Sequence, residues 1–247
     1  MFLKISELLK RKLDHFPIPD ELVNVAAHIR DVWVAQKASS LKQGSRVLDA
    51  GAGETQYRKL FSHCDYKTQD FAQYEGSSSG ILKEIWNYGQ LDYICDITSI
   101  PVPDCFFDAV LCTEVLEHVP KPIDTLGEFS RILAPNGRLF LSAPLSCGIH
   151  QQPFHYYGGY SPFFYKKFLK KFGFEIVEIK PIGGLMKHVG QELHRVGRVL
   201  EERAPDKLSA LKKYILMRWL PLYLASLDEK VFVEEFTIGY LVEAVRK

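Results

Sequence analysis

The stretch VLDAGAGETQY (residues 47–57) places an acid and two glycines directly after a run of apolar residues. Arg46 to Asp49 has the character of a short buried strand, and the chain then turns through Ala50 to Gly53. Glycine lets a backbone turn sharply and approach a ligand without a Cβ in between. Glu54 to Phe61 follows with a helical pattern. We therefore predict a strand, a tight turn and a helix whose first N–H groups face a ligand.

Beyond Gly44 the sequence alternates short apolar runs with helical segments. This alternation is typical of a parallel sheet with crossover helices. One such helix is predicted over Pro122 to Leu133, because proline suits a first helical position and Pro135-Asn136-Gly137 supplies a turn beyond its end. The pattern predicts a doubly wound α/β sheet with seven strands, which are Arg46–Asp49, Tyr66–Phe71, Asp92–Ile97, Phe107–Cys112, Arg138–Ala143, Glu175–Lys180 and Thr237–Arg246.

Segments outside this alternation divide the chain further. Two amphipathic helices, Ile5 to Phe16 and Pro19 to Ser39, are predicted before the first strand. Gly76 to Gly80 is predicted to be a loop of low complexity. The stretch before the last strand is much longer than a sheet connection needs. We therefore expect four parts, namely an N-terminal helical cap (1–43), a sheet core (44–180), a helical insertion (181–235) and the final strand (236–247).

The predicted insertion carries apolar residues at helical spacing from Leu185 to Leu200, and a second helix is predicted from about Lys207 into the apolar run Tyr214 to Leu227. In the simplest interpretation its apolar face packs on the sheet domain. The alternatives are a homodimer interface, a lid over the substrate or a contact with a membrane surface. Because Arg218 and Pro221 interrupt the run, and it is shorter than about 20 residues, no transmembrane segment is predicted.

The composition limits the classes of partner and compartment. The 247 residues are 47% hydrophobic, which is ample for a core, and 31 basic against 30 acidic residues give a formal net charge of +1. No global field therefore draws the protein to nucleic acid. Its five cysteines are scattered without a CxxC pair, which predicts reduced thiols in a cytoplasmic protein. The N-terminus lacks the uninterrupted apolar core of a signal peptide, so export is not expected.

Acidic residues follow four successive predicted strands. The ends of parallel strands meet at one edge of the sheet, where ligands of open α/β sheets bind. Carboxylates crowded at that edge repel one another unless a ligand takes their hydrogen bonds. A polar, partly cationic ligand is therefore expected there. The candidate cofactor-binding residues are Asp49, Gly51, Ala52, Gly53, Asp70, Phe71, Asp96, Ile97, Thr113 and Glu114.

Two nucleotide-type ligands compete for this edge. A dinucleotide fingerprint needs a third small residue where this chain has Gln56, and its pyrophosphate would meet the acid Glu54. S-adenosylmethionine has no phosphate and carries a positive sulfonium, which the acids favour. Asp70 also lies where an acid that binds a ribose diol is expected. We therefore prefer S-adenosylmethionine as the cofactor.

The sequence also resembles the class I S-adenosylmethionine-dependent methyltransferases, in particular their UbiE-like group. Thr55 stands where that family often has a third glycine. The resemblance covers roughly residues 44–180 and the final strand. It rests on five ordered blocks, which are Asp49-Ala50-Gly51-Ala52-Gly53, Ile100-Pro101-Val102-Pro103-Asp104, Phe107-Asp108-Ala109-Val110, Glu114-Val115-Leu116-Glu117-His118-Val119-Pro120 and Arg131-Ile132-Leu133-Ala134-Pro135-Asn136-Gly137.

This resemblance implies a Rossmann-like methyltransferase fold with an antiparallel last strand. It also implies that the methionine moiety of the cofactor lies near Gly51 and Gly53, its ribose on Asp70 and its adenine near Asp96 and Ile97. A looser resemblance, over Ser146 to Pro162, is to bacterial methyltransferases associated with cell-surface polysaccharide assembly. It suggests a small-molecule or sugar-bearing acceptor.

Three histidines follow the fourth and fifth predicted strands and are candidate catalytic residues: His118, His150 and His155. Histidine suits a general base at neutral pH. The alternative for His118 is a structural hydrogen bond on a short helical turn, and that for His150 and His155 is to orient a loop. His150 and His155 lack a third ligand at suitable spacing, so no metal site is predicted. Seven aromatic residues between Phe154 and Tyr165 are available to stack on an acceptor or to form a hydrophobic layer under a helix that begins near Ser161.

The sequence therefore predicts an S-adenosylmethionine-dependent methyltransferase that acts on a small-molecule or glycan-like acceptor, with a place in polysaccharide biosynthesis. The alternative is a protein that binds the cofactor for regulation or assembly without turnover. A dinucleotide-dependent oxidoreductase is a third hypothesis. Methyl transfer requires chiefly that donor and acceptor are aligned and that water is excluded.

Overall fold

The computed structural model describes residues 24–76 and 86–247. These residues contain one mixed sheet of seven strands, which are β1 (Arg46–Ala50), β2 (Asp65–Asp70), β3 (Tyr93–Ile94), β4 (Phe107–Thr113), β5 (Leu133–Pro144), β6 (Phe174–Pro181) and β7 (Gly239–Arg246). Their order across the sheet is β3-β2-β1-β4-β5-β7-β6. All neighbouring strands are parallel except β7, which is antiparallel to β5 and to β6. The predicted seven-stranded sheet with an antiparallel last strand is confirmed.

Helices cover both faces of this sheet. On one face, Leu126, Phe129 and Ile132 of a helix join a core that includes the buried strand residues Leu48 and Leu139. On the other face, Trp33 packs edge-on against Phe140, the strand neighbour of Leu139, at 6.0 Å between ring centroids. The helices are α1 (Val25–Ser39), α2 (Pro122–Ile132), α3 (Pro162–Lys171), α4 (Leu185–Arg203), α5 (Ala210–Tyr214) and α6 (Leu220–Asp228), with a π-helical segment at Ile215–Trp219.

Helix α2 shows how the sequence specifies a helix here. Pro122 occupies its first turn, and its buried side chains recur at helical spacing. Each fully buried Leu, Ile or Phe side chain contributes about 1.5–3 kcal/mol relative to exposure. The helix ends because Leu133 adopts an extended conformation and starts β5. Arg131 fixes the last turn by donating to both carboxylate oxygens of Glu128, at 2.8 and 2.6 Å.

Several predicted boundaries were wrong. The helix expected over Glu54–Phe61 is replaced by turns and a short 3-10 segment, Arg58–Phe61. Strand β3 has two residues instead of the six expected over Asp92–Ile97. Directly after it, the side-chain amide of Gln69 donates to the carbonyl oxygen of Cys95 at 2.7 Å.

Other predicted segments lie partly or wholly outside the described residues. The helix Ile5–Phe16 is wholly outside them, as is most of the loop Gly76–Gly80, and the helix expected from Pro19 is described from Val25 onward. The second insertion helix, expected from about Lys207, begins at Ala210. None of the five cysteines forms a disulfide bond, and Cys112 is the one that is fully buried.

The described chain divides into two compact units. One contains the sheet and comprises Arg30–Ile182 and Gly239–Lys247. The other comprises residues 24–29 and Gly183–Ile238. In the second unit the buried carboxylate of Asp228 accepts backbone N–H groups of Gly184 and Met186 at 2.9 and 3.1 Å and so caps α4. No helix in the described ranges combines the length and apolarity that crossing a bilayer requires.

Candidate functional site

A cavity of about 340 Å³ lies at the carboxyl ends of the central strands. This volume is within the range of pockets that enclose small ligands, about 300–1,000 Å³. All ten candidate cofactor-binding residues line it, together with His118. These ten are Asp49, Gly51, Ala52, Gly53, Asp70, Phe71, Asp96, Ile97, Thr113 and Glu114. The topology therefore brings the four strand ends to one wall.

The turn after β1 depends on glycine at two positions. Gly51 has φ +75°, and a Cβ on it would lie 2.4 Å from Cγ2 of Val115. Gly53 has φ +49°, and a Cβ on it would lie 2.7 Å from the ring of Trp86. Thr55, at the position where the third glycine was expected, also has a positive φ, of 57°. The turn thus keeps a left-handed geometry that glycine would adopt more easily.

The backbone N–H groups of this turn donate hydrogen bonds within the protein. Gly51 and Ala52 both donate to the carbonyl oxygen of Gln69, at 2.8 and 2.9 Å. Gly53 donates to Oδ2 of Asp70 at 2.9 Å. Side-chain oxygens, rather than a helix N-terminus, are therefore the main polar groups that the turn offers.

Two buried carboxyl groups flank the turn. Asp70 accepts from Gly53 and, through Oδ1, from the N–H of Ala72 at 3.0 Å. A carboxylate has about four lone-pair sites, so Asp70 keeps capacity for a ligand hydroxyl. Asp49 accepts from the hydroxyl of Tyr66. Burial raises the pKa of Asp49 to about 7 and also raises the pKa of Asp70.

The remaining acids lie further along the rim. Oδ1 of Asp96 accepts from the backbone N–H and hydroxyl of Thr98, at 2.8 and 2.7 Å, which fixes the turn after β3. Oε1 of Glu114, directly after β4, accepts from the hydroxyl of Ser142 at 2.7 Å. Glu114 also has a positive φ, of 55°.

The cavity is also lined by a cationic side chain, Arg30, that was not predicted from the sequence. Arg30 of α1 is the only arginine or lysine among the lining residues in the described part of the chain. Its Nε donates to the hydroxyl of Tyr57 at 2.9 Å. Burial lowers the pKa of Arg30, but Glu114, Tyr57 and Asp31 together raise it above its ordinary value. Nothing in the pattern of α1 distinguished Arg30 from a solvated helix residue.

Aromatic residues that the sequence did not single out complete one side of the cavity. Trp86 packs edge-on against Tyr74 and Tyr88, at 5.4 and 6.1 Å between ring centroids. All three line the cavity with Phe71, which in turn contacts Phe154 at 4.9 Å. Residues 71–76 and 86–91 have no regular secondary structure, so no periodic pattern could mark these aromatic residues as part of a site.

The three candidate catalytic histidines meet beside the cavity. The ring of His118 lies 4.7 Å from that of His150 and 5.7 Å from that of His155, and the last two are 4.8 Å apart. His118 lines the cavity, whereas the other two do not. His150 and His155 were predicted to lack a third ligand. The fold supplies one, because it brings His118 next to them from a distant part of the sequence.

His118 is held as a neutral imidazole. Its Nδ1 donates to the carbonyl oxygen of Phe154 at 2.6 Å. Burial, together with the neighbouring His150 and His155, lowers the pKa of His118 to about 4, and that of His155 is lowered as well. Nε2 of His118 is therefore a hydrogen-bond acceptor at neutral pH but a weak general base.

The donor set of the cavity fits S-adenosylmethionine. Carboxylates match its sulfonium, ammonium and ribose hydroxyls, and Arg30 matches its carboxylate. The methyltransferase domain family matches residues 26–179 of the sequence.

The chain belongs to this methyltransferase domain family. Residues 26–179 form a class I methyltransferase domain, a family whose cofactor is S-adenosylmethionine. When bound, the cofactor supplies an electrophilic methyl group on a positively charged sulfur.

The chain is similar in sequence to known methyltransferases and in fold to solved structures. The ubiquinone/menaquinone biosynthesis C-methyltransferase UbiE of Pseudomonas fluorescens is 26% identical over 145 residues, which cover 56% of this chain and 57% of that protein. This chain thus spans little more than half of that relative. The structure of phosphoethanolamine N-methyltransferase 2 of Haemonchus contortus in complex with S-adenosyl-L-methionine has a TM-score of 0.52 at 16% identity, covering 88% of this chain and 52% of that chain. The [4+2]-cyclase SpnF has a TM-score of 0.53 at 18% identity, covering 89% and 80%. At such identities the two structures demonstrate a shared fold alone.

Proposed function

We propose that this methyltransferase transfers its methyl group to a small-molecule or glycan-like acceptor held in an aromatic groove beside the cofactor cavity. The observation that carries the proposal is a groove of about 580 Å³ that shares Pro120 with the cavity. Its lining includes Tyr157, Phe164 and Phe168. Aromatic faces stack well on sugar rings and planar small molecules.

Parts of the aromatic segment have structural roles, which limits the residues available to an acceptor. Tyr160 and Tyr165 are buried in the core, and Phe164 packs between them and Phe168. Tyr157 is partly exposed, and its hydroxyl donates to the carbonyl oxygen of Pro120 at 3.1 Å. Tyr157 is therefore the aromatic side chain that we assign to acceptor stacking.

For the cofactor we propose that Asp49 and the turn at Gly51 and Gly53 hold the methionine moiety. Asp70 then accepts the ribose hydroxyls, and Asp96 with Ile97 borders the adenine. The remaining assigned residues, Ala52, Phe71, Thr113 and Glu114, complete the wall, and Arg30 pairs with the cofactor carboxylate.

Of the histidines, we assign His118 a direct role, because it borders the cavity. Its neutral Nε2 accepts a hydrogen bond from the acceptor and orients the attacking atom toward the methyl group. His150 and His155 support His118 from outside the cavity. The setting that we propose is polysaccharide biosynthesis in the cytoplasm, supported by the sequence of residues 146–162 and by the five free thiols.

The test is transfer of labelled methyl groups from S-adenosylmethionine to a panel of glycans, sugar nucleotides and quinol precursors. We expect label in a small-molecule fraction. Tyr157→Ala should raise the acceptor KM about tenfold, since a stacking contact contributes about 1.4 kcal/mol. Phe163→Ala is the matched control, because Phe163 is exposed but does not line the groove. Label in protein or RNA instead, or equal KM values in both variants, would refute the acceptor assignment.

We further propose that the protein forms a homodimer through residues 181–235. Apolar side chains recur every four residues along α5, the π-helical segment and α6, at Leu211, Ile215, Trp219 and Tyr223, and all four are exposed. The rings of Trp219 and Tyr223 stack at 5.6 Å. In light scattering after gel filtration we expect a dimer that Trp219→Glu dissociates and Val177→Glu, at an exposed sheet residue, leaves intact. A monomeric wild-type protein would overturn the proposal.

A further inference from the structure

Three imidazole rings form one compact cluster where the chain leaves β4 and β5. His118 follows β4 in a short 3-10 turn, and His150 and His155 lie in the chain between β5 and α3. One nitrogen from each ring lies within 4.8 Å of the others. In a tetrahedral zinc site, nitrogens at about 2.1 Å from the ion are about 3.4 Å apart. The nitrogens would have to approach one another by at most about 1.4 Å for an ion to bind.

The backbone already fixes two of these rings in the orientation that metal ligation requires. Nδ1 of His118 donates to the carbonyl oxygen of Phe154 at 2.6 Å, and Nδ1 of His150 donates to that of Gly148 at 2.9 Å. A neutral imidazole that donates through one nitrogen presents a lone pair on the other, here Nε2. Metal-bound histidines typically use a backbone carbonyl or carboxylate in this way.

The third ring carries a polar atom that the protein does not satisfy. Nδ1 of His155 is buried and has no hydrogen-bond partner in the described part of the chain. Buried side-chain nitrogens of this kind are rare, because an unmade hydrogen bond costs about 1–3 kcal/mol. An ion bound between the three rings would give this nitrogen a partner.

We propose that His118, His150 and His155 form a binding site for a divalent transition metal of the zinc type. A set of three imidazoles favours Zn²⁺, Co²⁺, Ni²⁺ or Cu²⁺ over the hard cations Mg²⁺ and Ca²⁺, which select oxygen ligands. Three protein ligands leave a coordination position for water or another small ligand. Because His118 also lines the cofactor cavity, the ion borders that cavity. This site goes beyond the proposed methyl transfer and does not depend on which acceptor is used. Because an ion would occupy the Nε2 lone pair of His118 that we assign to the acceptor in the metal-free protein, a bound metal should compete with that hydrogen bond.

The experiment is titration of the metal-free full-length protein with Co²⁺, followed by visible absorption, and with Zn²⁺ in competition. We expect one equivalent of Co²⁺ to give the intense bands of low-coordinate nitrogen ligation and one equivalent of Zn²⁺ to abolish them. His150→Ala and His155→Ala should each weaken binding by more than about a hundredfold. His28→Ala, which removes an exposed histidine of α1, is the matched control and should bind like wild type.

Two further measurements keep the outcome clear. Azide added to the Co²⁺ protein should shift the bands if a coordination position is open, and an unchanged spectrum would refute that part. S-adenosylmethionine affinity and the thermal unfolding midpoint are measured for each variant without metal, so loss of folding or of cofactor binding is distinguished from loss of the metal. Absence of stoichiometric Co²⁺ binding by the folded wild-type protein, or equal binding by His150→Ala and His28→Ala, would overturn the site.

Discussion

The buried acid at the end of β1 should make cofactor binding depend on pH. Burial raises the pKa of Asp49 to about 7 in the free protein, so this carboxyl group is largely protonated in mildly acidic solution. A cationic ligand beside Asp49 favours the ionised form. With a pKa of about 7, about 1% of the group is ionised at pH 5 and about half at pH 7. Cofactor affinity should therefore rise about fiftyfold, or about 2.3 kcal/mol, over this interval.

The matched variant is Asp49→Asn, which keeps the size of the side chain and an oxygen that accepts from Tyr66. Calorimetric titration with S-adenosylmethionine at the two pH values is the assay. The affinity of Asp49→Asn, which has no ionisable group at this position, should not change between pH 5 and pH 7, whereas that of the wild type should rise about fiftyfold. The amino group of the cofactor stays protonated throughout, because its pKa is near 8.

The same ionisation should act in the opposite direction on the ligand-free protein. The folded pKa of Asp49 lies above its ordinary value of 3.8, so the folded state holds the proton more tightly than the unfolded chain. The contribution of Asp49 to the free energy of unfolding therefore falls as pH rises from about 4 to 7. Asp49→Asn should lack this component in urea unfolding. Equal cofactor affinity of the two proteins near pH 7 would refute the assignment of Asp49 to the cation.

Two stability predictions use matched pairs. Gly51→Ala places a Cβ 2.4 Å from Val115 at φ +75°, whereas Gly44→Ala has a similar φ of +77° and no atom within 4 Å. In urea unfolding, Gly44→Ala should lower the free energy of unfolding by about 1 kcal/mol because of its left-handed backbone. Gly51→Ala should lower it by about 1–3 kcal/mol more because of the overlap with Val115. Equal losses of unfolding free energy in the two variants would contradict this prediction. Arg131→Ala removes bonds to Glu128, to Asp104 and to two backbone carbonyls and should cost about 2 kcal/mol. Arg195→Ala breaks one exposed ion pair, with Glu192, and should lower the free energy of unfolding by less than about 0.5 kcal/mol. Similar losses of unfolding free energy in Arg131→Ala and Arg195→Ala would refute this prediction.

The strands that carry the site were readable from the sequence, because their apolar runs are buried on both faces. Val47 and Leu48 of β1 and Val110 and Leu111 of β4 are completely buried, and the two strands pair in parallel. The edge strand β3 was less readable. Its predicted length reflected side-chain type. The contact that the side chain of Gln69 makes with the carbonyl oxygen of Cys95 beside it follows no periodic pattern and could not be predicted.

The site was predictable only where its residues follow strand ends. Arg30 comes from a helix in which it resembles any solvated arginine, and Trp86 and Tyr88 come from a stretch without regular structure. Likewise, the contact between His118 and His150 could not be predicted from their spacing in the sequence, because helix α2 and strand β5 lie between them. Long-range proximity of this kind follows from the order β1-β4-β5 in the sheet, not from local sequence.

The acids of the rim are best explained by the ligand rather than by the fold. Burial raises the pKa of Asp49 and of Asp70, so each is less stable as an anion in the folded chain than in water. Apolar residues of similar size would avoid this penalty. Carboxyl groups with raised pKa values that converge on one cavity are typical of functional sites. The sheet therefore gives up stability at the carboxyl ends of β1 and β2, and we expect a bound adenosyl sulfonium to offset that loss because its positive charge favours the ionised acids.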